Sequence, residues 1–314
     1  LYHKDYSSRK PAGRAGAAGE RVGMTSSRLV AAAVALVLLA GPALPARADE
    51  HVTAGGIDRT FHAYVPANHA ASPPLVVVLH GGFGSGAQAE AAYRWDAAAD
   101  RYGFVVLYPD GLQRAWNAGD CCGQPRARNV DDVAFIEAAV RETSRAYATD
   151  PKRLYVTGIS NGGMMAYRLA CESALPIAAI APVAAALAVT CDRPQHVSVL
   201  HVHGLADRNV PFDGGPGSGF ARMTYRPVSA ALDVFRNADA CGAPVTTTAG
   251  PVTTARSACA NGNVVELTTI AGAGHQWPGA APPPARAAAL LRLDAPSTAL
   301  DATALIWSFF DEKR

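Results

Sequence analysis

Polar and apolar positions alternate along residues 58–65 (DRTFHAYV), the period-two pattern of a half-buried antiparallel edge strand. Residues 75–79 (LVVVL) differ. They are continuously apolar after Pro73-Pro74, as a strand covered on both faces must be, and they run into His80-Gly81-Gly82-Phe83-Gly84. Helical spacing follows over about 87–101, then an apolar run at 104–108 (FVVLY) and a polar stretch from Pro109 to Asn129. An amphipathic helix over about 131–147 opens on Asp131 and Asp132, near the positive end of its dipole. Residues 153–159 predict a strand, Ser160 stands at its carboxyl end, and 164–170 continue as helix. Further strands are expected at 178–183, 197–202 and 264–270. A closing helix spans about 298–310, with Leu305, Ile306, Phe309 and Phe310 on its apolar side. The Pro/Ala-rich stretch between Gly279 and Pro296 reads as a loop without chemistry.

Repeated strand–helix–strand units joined by right-handed crossovers predict an α/β fold with a mostly parallel central sheet and helices on both faces. Ligands of such sheets bind outside the carboxyl ends of the strands.

The amino-terminal fifth reads as processing signal. Residues 29–40 (LVAAAVALVLLA) are uncharged and apolar, follow Arg28, and lead to Ala46-Arg47-Ala48, an A-x-A cleavage site. As helix, the run spans about 18 Å against the roughly 30 Å of a bilayer core, too short for an anchor. Residues 24–48 are therefore expected to be a signal peptide cleaved after Ala48, and 1–23 a non-native or disordered leader. Residues 49–314 are expected to form a single catalytic domain, exported and without stable membrane association. The formal charge of +2 resides in the leader: residues 1–48 carry seven Lys/Arg and two Asp/Glu, leaving 21 against 24. An acidic domain is a poor partner for nucleic acid.

All six cysteines (Cys121, Cys122, Cys171, Cys191, Cys241, Cys259) follow the cleavage site, an even number in an exported chain, so disulfides are expected. Their spacing leaves the pairing open, and Cys121 and Cys122 are either bridged to each other or free. No spacing suits a metal.

Gly158-Ile159-Ser160-Asn161-Gly162 matches G-x-S-x-G, in which small residues leave room for a strained turn that exposes the serine. As a bare pattern it is weak; its place between a strand and a helix strengthens it. A serine needs a base and an orienting acid, in the order Ser, acid, His. Asp207 follows the strand 197–202 and His275 follows the strand 264–270, both on loops at strand carboxyl ends. His196, His201 and His203 lie before or within a strand and read as structural, and His80 as a loop stabiliser. The negative charge that develops on an attacked carbonyl needs two amide donors. Asn161 is expected to supply one, and Gly82, with Phe83 next, the other. Trp116, Asn117 and Trp277 flank the expected cleft, either as substrate contacts or as buried loop anchors.

With these segments in hand the chain resembles the extracellular polyhydroxybutyrate depolymerase and feruloyl esterase family, the LpqC-like esterases of the α/β-hydrolase type. The matching runs are LHGGFGSG (79–86), YPDGLQRAWN (108–117), CCG (121–123), DDVAFI (131–136), RLYVTGISNGGMMAYRLACE (153–172), HGLADRNVPFDGG (203–215), GHQWPG (274–279) and DATALIWSFF (301–310). The resemblance implies a triad of Ser160, Asp207 and His275 and bridges Cys171–Cys191 and Cys241–Cys259. The chain departs from relatives that carry a cysteine after His-Gly, where it has Gly82.

The expected activity is serine carboxylesterase chemistry through an acyl-enzyme, without metal or organic cofactor, by a monomer acting on a small or polymer-linked ester. Feruloyl or acetyl groups on plant polysaccharide are favoured over hydroxyalkanoate oligomers, since no polymer-binding module follows the domain. An acyltransferase, a serine peptidase and a non-catalytic binding module are the rival readings.

Overall fold

A computed structural model describes residues 49–313 apart from 220, 284 and 292. The expected leader and signal peptide lie outside the described residues. The strands are β1 (Glu50–Ala54), β2 (Ile57–Tyr64), β3 (Leu75–Leu79), β4 (Val105–Pro109), β5 (Leu154–Ile159), β6 (Ile177–Val183), β7 (Ser198–Gly204), β8 (Gly215–Pro216), β9 (Thr224–Tyr225), β10 (Val245–Ala249), β11 (Val252–Ala258) and β12 (Val264–Ile270). The α-helices are α1 (Gly86–Tyr93), α2 (Trp95–Tyr102), α3 (Gly123–Ala127), α4 (Asp132–Tyr147), α5 (Asn161–Glu172), α6 (Val228–Ala238), α7 (Ala285–Leu291) and α8 (Ala302–Asp311).

Ten of these strands make one sheet in the order β1-β2-β4-β3-β5-β6-β7-β12-β11-β10. Its centre, from β4 to β12, is parallel, and antiparallel strands extend it at both ends. The unbroken apolar runs are explained by two cores. Leu75, Val77 and Leu79 of β3 join the face packed with Phe135 and Ile136 of α4 and Met165 and Leu169 of α5. Val76 and Val78 join the opposite face, with Trp95 of α2 and Ile306 and Phe310 of α8. Each strand buries both sides because each side meets helices.

Three expectations need correction. The strand at 58–65 is not the edge: β1 pairs outside it through the Gly55-Gly56 turn. The helix over 87–101 is two helices, α1 and α2, separated by Arg94 at φ 64°. That break turns Trp95 inward against Phe104, Trp277 and Phe310, burial that a straight helix would forfeit. The stretch 279–296 is not wholly loop, since it contains α7. Among the described residues no helix is long and apolar enough to cross a membrane.

Candidate active site

The turn from β5 into α5 holds Ser160 at φ 54°, ψ −122°, outside the regions ordinary residues favour. Two backbone bonds fix it: Ser160 N–H donates to Val183 O at 2.9 Å, and Met164 N–H to Ser160 O at 2.8 Å. Gly162 is required by close approach, because a Cβ there would lie 2.4 Å from the Leu79 carbonyl oxygen.

Asp207 and His275 sit on loops leaving neighbouring parallel strands, β7 and β12, which pair as far as Gly204 with Ile270. The loops stay joined beyond the sheet, with Leu205 N–H on Ile270 O (3.0 Å) and Ala206 N–H on Ala273 O (2.8 Å). This brings His275 Nδ1 to 2.7 Å from Asp207 Oδ2. The other carboxylate oxygen of Asp207 accepts the N–H groups of Asn209 (2.8 Å) and Val210 (2.9 Å). The acid is buried, whereas the His275 side chain keeps 12% of its surface. Such an imidazole, held through Nδ1 by a fixed carboxylate, leaves Nε2 available as a base. No hydrogen bond joins Ser160 to His275 in this structure. In unliganded enzymes such bonds are often long and tighten when substrate binds.

The donor loop after β3 is braced from three sides. Gly111 N–H donates to His80 Nε2 (2.9 Å), which leaves the proton on Nδ1 for Gly81 O (2.7 Å). His80 is therefore neutral, and burial holds its pKa below the usual value. Trp116 Nε1 donates to His80 O at 2.8 Å. Phe83 N–H donates to Arg114 O (2.7 Å), and Arg114 Nε donates back to Phe83 O (2.6 Å). The Phe83 amide, expected as a reserve oxyanion donor, is thus already engaged. Gly82 N–H donates to no described residue, and the Asn161 amide, first in α5, has no acceptor within its own helix.

The structure places Trp116, Asn117 and Trp277 in the interior, at 0%, 3% and 1% exposure, so none presents a face to a ligand. Asn161 clasps Trp116 by both ends of its side-chain amide, accepting Trp116 N–H (2.7 Å) and donating to Trp116 O (3.0 Å). Asn117 N–H donates to buried Asp132, itself paired with Arg59 at 2.8 Å. Trp277 stacks on Tyr93 and donates to Thr303 Oγ1 at 3.1 Å. Their amphipathic rings and amides serve the loops as anchors. Phe83 and Leu205 are instead the exposed large apolar side chains on the donor and acid loops.

The structure joins Cys171 to Cys191, Cys241 to Cys259, and the neighbours Cys121 and Cys122. Asn161 Nδ2 lies 3.7 Å from Cys121 Sγ, so the last bridge abuts the residue after the serine. Two contributors escaped the sequence reading. Arg114 lies in a polar stretch without periodicity. Asp294, in the stretch taken as inert, accepts the backbone N–H of His275 at 2.7 Å.

The chain matches the family model described as Esterase PHB depolymerase over residues 60–211. It is 34% identical over 251 residues to NocK, named as an esterase, of Nocardia uniformis subsp. tsuyamanensis, covering 73% of each chain. It is 31% identical over 215 residues to Feruloyl esterase B of Piromyces equi, covering 64% of this chain but only 39% of that longer protein. Among solved structures it is similar to an acetyl xylan esterase from Aspergillus awamori (TM-score 0.54, 18% identity, 73% of this chain and 94% of that one). A second is esterase 2 of Thermogutta terrifontis (TM-score 0.54, 17% identity, 86% and 96%). At these identities the structural likeness concerns the fold, which is that of the α/β-hydrolases.

Proposed function

We infer, because the chain belongs to the esterase PHB depolymerase family and is a carboxylic ester hydrolase, that Ser160, His275 and Asp207 are its catalytic triad. The observation that carries this is the 2.7 Å bond from His275 Nδ1 to a buried Asp207, on loops at the same carboxyl edge of the parallel strands as the strained turn of Ser160. His275 Nε2 takes the Ser160 proton as Oγ attacks the ester carbonyl. The amides of Asn161 and Gly82 receive the oxyanion. As the tetrahedral centre collapses, the bond to the alcohol breaks and His275 returns the proton to it. Water, deprotonated by His275, then cleaves the acyl-enzyme and frees the acid.

For substrate we favour feruloyl or acetyl esters borne on plant polysaccharide. Relatives and a structural neighbour carry feruloyl and acetylxylan esterase names. Hydroxyalkanoate oligomers are the second reading, favoured by the family model's own description. Export fits both, with residues 24–48 as a cleaved signal and three disulfides in the described chain.

The first test is hydrolysis of p-nitrophenyl acetate by the wild type and by Ser160→Ala. The substitution is expected to lower kcat by roughly 10⁴-fold or more, and retained activity would overturn the nucleophile. Ferulate release from methyl ferulate, set beside clearing of a polyhydroxybutyrate suspension, separates the two substrate readings.

A further inference from the structure

Beneath Asp207 lies a chain of buried polar groups that the mechanism above does not use. Tyr167 on α5 and His201 and His203 on β7 are all buried. The Tyr167 hydroxyl lies 2.8 Å from His201 Nδ1, His201 Nε2 lies 2.9 Å from His203 Nδ1, and His203 Nε2 lies 2.8 Å from Val210 O. His203 Nε2 is also 3.5 Å from Asp207 Oδ2, the oxygen that holds His275.

The proton positions along this chain follow from its far end. A carbonyl only accepts, so His203 Nε2 carries hydrogen. Burial keeps both imidazoles neutral, their pKa values below the usual histidine range, His201 the further. Neutral His203 therefore accepts through Nδ1, His201 donates from Nε2 and accepts at Nδ1, and the Tyr167 hydroxyl donates. All the bonds run one way, from Tyr167 to Val210. The Val210 N–H in turn donates to Asp207 Oδ1, so the loop 207–210 is held at its carbonyl by His203 and at its amide by Asp207.

We propose that His203 is a positioning residue of the triad: its Nε2–H clamps Val210 O and faces Asp207 Oδ2, fixing the carboxylate where His275 meets it. This rests on the triad reading, and His203, being buried, acts only through Asp207 and Val210. A histidine that merely satisfied core polar groups would affect folding and leave the Asp207–His275 bond alone.

His203→Gln places an amide donor near the former Nε2 and keeps the reach to Val210. His203→Asn extends only as far as the former Nδ1 and loses it. The two variants, with Tyr167→Phe, are compared in the full chain by p-nitrophenyl acetate kinetics, thermal unfolding and the low-field proton resonance of His275 Nδ1–H. His203→Asn is expected to lose about 10- to 100-fold in kcat at nearly constant KM, with the low-field signal shifted or gone. His203→Gln should recover kcat to within about fivefold together with the signal, and Tyr167→Phe should stay within about threefold of wild type. The proposal is overturned if folded His203→Asn keeps wild-type kcat and signal, or if Tyr167→Phe is as impaired as His203→Asn. Should His203→Asn not accumulate, His203→Gln decides: near-wild-type kcat and signal support the clamp, and a tenfold or larger loss overturns it. Esterase activity that survived Ser160→Ala would condemn the triad reading instead, whatever the His203 variants did.

Discussion

Gly274, the neighbour of His275, packs directly against Asp294. A Cβ built there would stand 2.3 Å from Asp294 Oδ2, the oxygen that accepts His275 N–H. Gly274→Ala must therefore push Asp294 aside or move the loop that carries His275, the proposed base. A displacement near 1 Å at a catalytic group costs about 10²-fold, and kcat/KM should fall by that order while the unfolding temperature changes little. Asp294→Asn keeps an acceptor oxygen and should stay close to wild type, whereas Asp294→Ala should resemble Gly274→Ala. Ester hydrolysis by the three variants checks this, and a fully active Gly274→Ala would show that the contact does not hold the loop. The placement of Ser160, Asp207 and His275 at strand carboxyl ends was legible in the sequence because each follows an apolar strand and stands in a short distinctive run. Asp294 was not, since its partner lies 19 residues back and no periodicity marks it. Phe83 was misjudged for a related reason: the glycines around it are visible, but the Arg114 carbonyl that takes its amide is 31 residues away.

Among the elements, strands covered on both faces announced themselves, and β3 and β12 have the bounds the pattern predicts. The elements that escaped notice are of two kinds. β10 (VTTTA) is exposed at every position, so no alternation records its pairing with β11. α6 buries Val228, Ala231, Leu232 and Phe235, a spacing that was present but lay within a long stretch dominated by turn residues. Covalent links also act between elements. Cys171 near the end of α5 is tied to Cys191 in the loop ahead of β7, closing 20 residues and joining the helix that follows Ser160 to the strand that precedes Asp207. Replacing both cysteines by serine should cost about 3 kcal/mol from loop-closure entropy. For a domain of this size that is roughly 6–12 °C in unfolding temperature. Calorimetry of the double variant measures it, and activity at 25 °C should persist because Ser160 and Asp207 keep their own hydrogen bonds. A change below about 1 °C would mean that packing alone fixes α5.

For the whole molecule, the three buried neutral histidines around the site make stability depend on acidity. His80, His201 and His203 all have pKa values pulled by burial below the ordinary 6.5. Unfolded, each takes up a proton as the pH falls through about 6.5; folded, each resists until lower pH. The unfolded state thus binds more protons, and the stability present above pH 6.5 is lost as pH drops through that value toward the folded pKa values. Each such histidine contributes at most about 1.4 kcal/mol per pH unit to this loss, which steepens below pH 6.5. Asp132 opposes this nearer the carboxylate range, because burial raises its pKa against the pull of Arg59 and the native state then gains the proton first. Glu50 acts in the same direction, with burial the larger cause of its raised value. Urea unfolding at pH 7.5, 6.5 and 5.5 reads the slope directly. Net proton uptake on unfolding is expected to grow between the last two points, and no uptake there would mean that burial does not hold these imidazoles neutral in the folded protein, which would undo the hydrogen-bond direction assigned from Tyr167 to Val210.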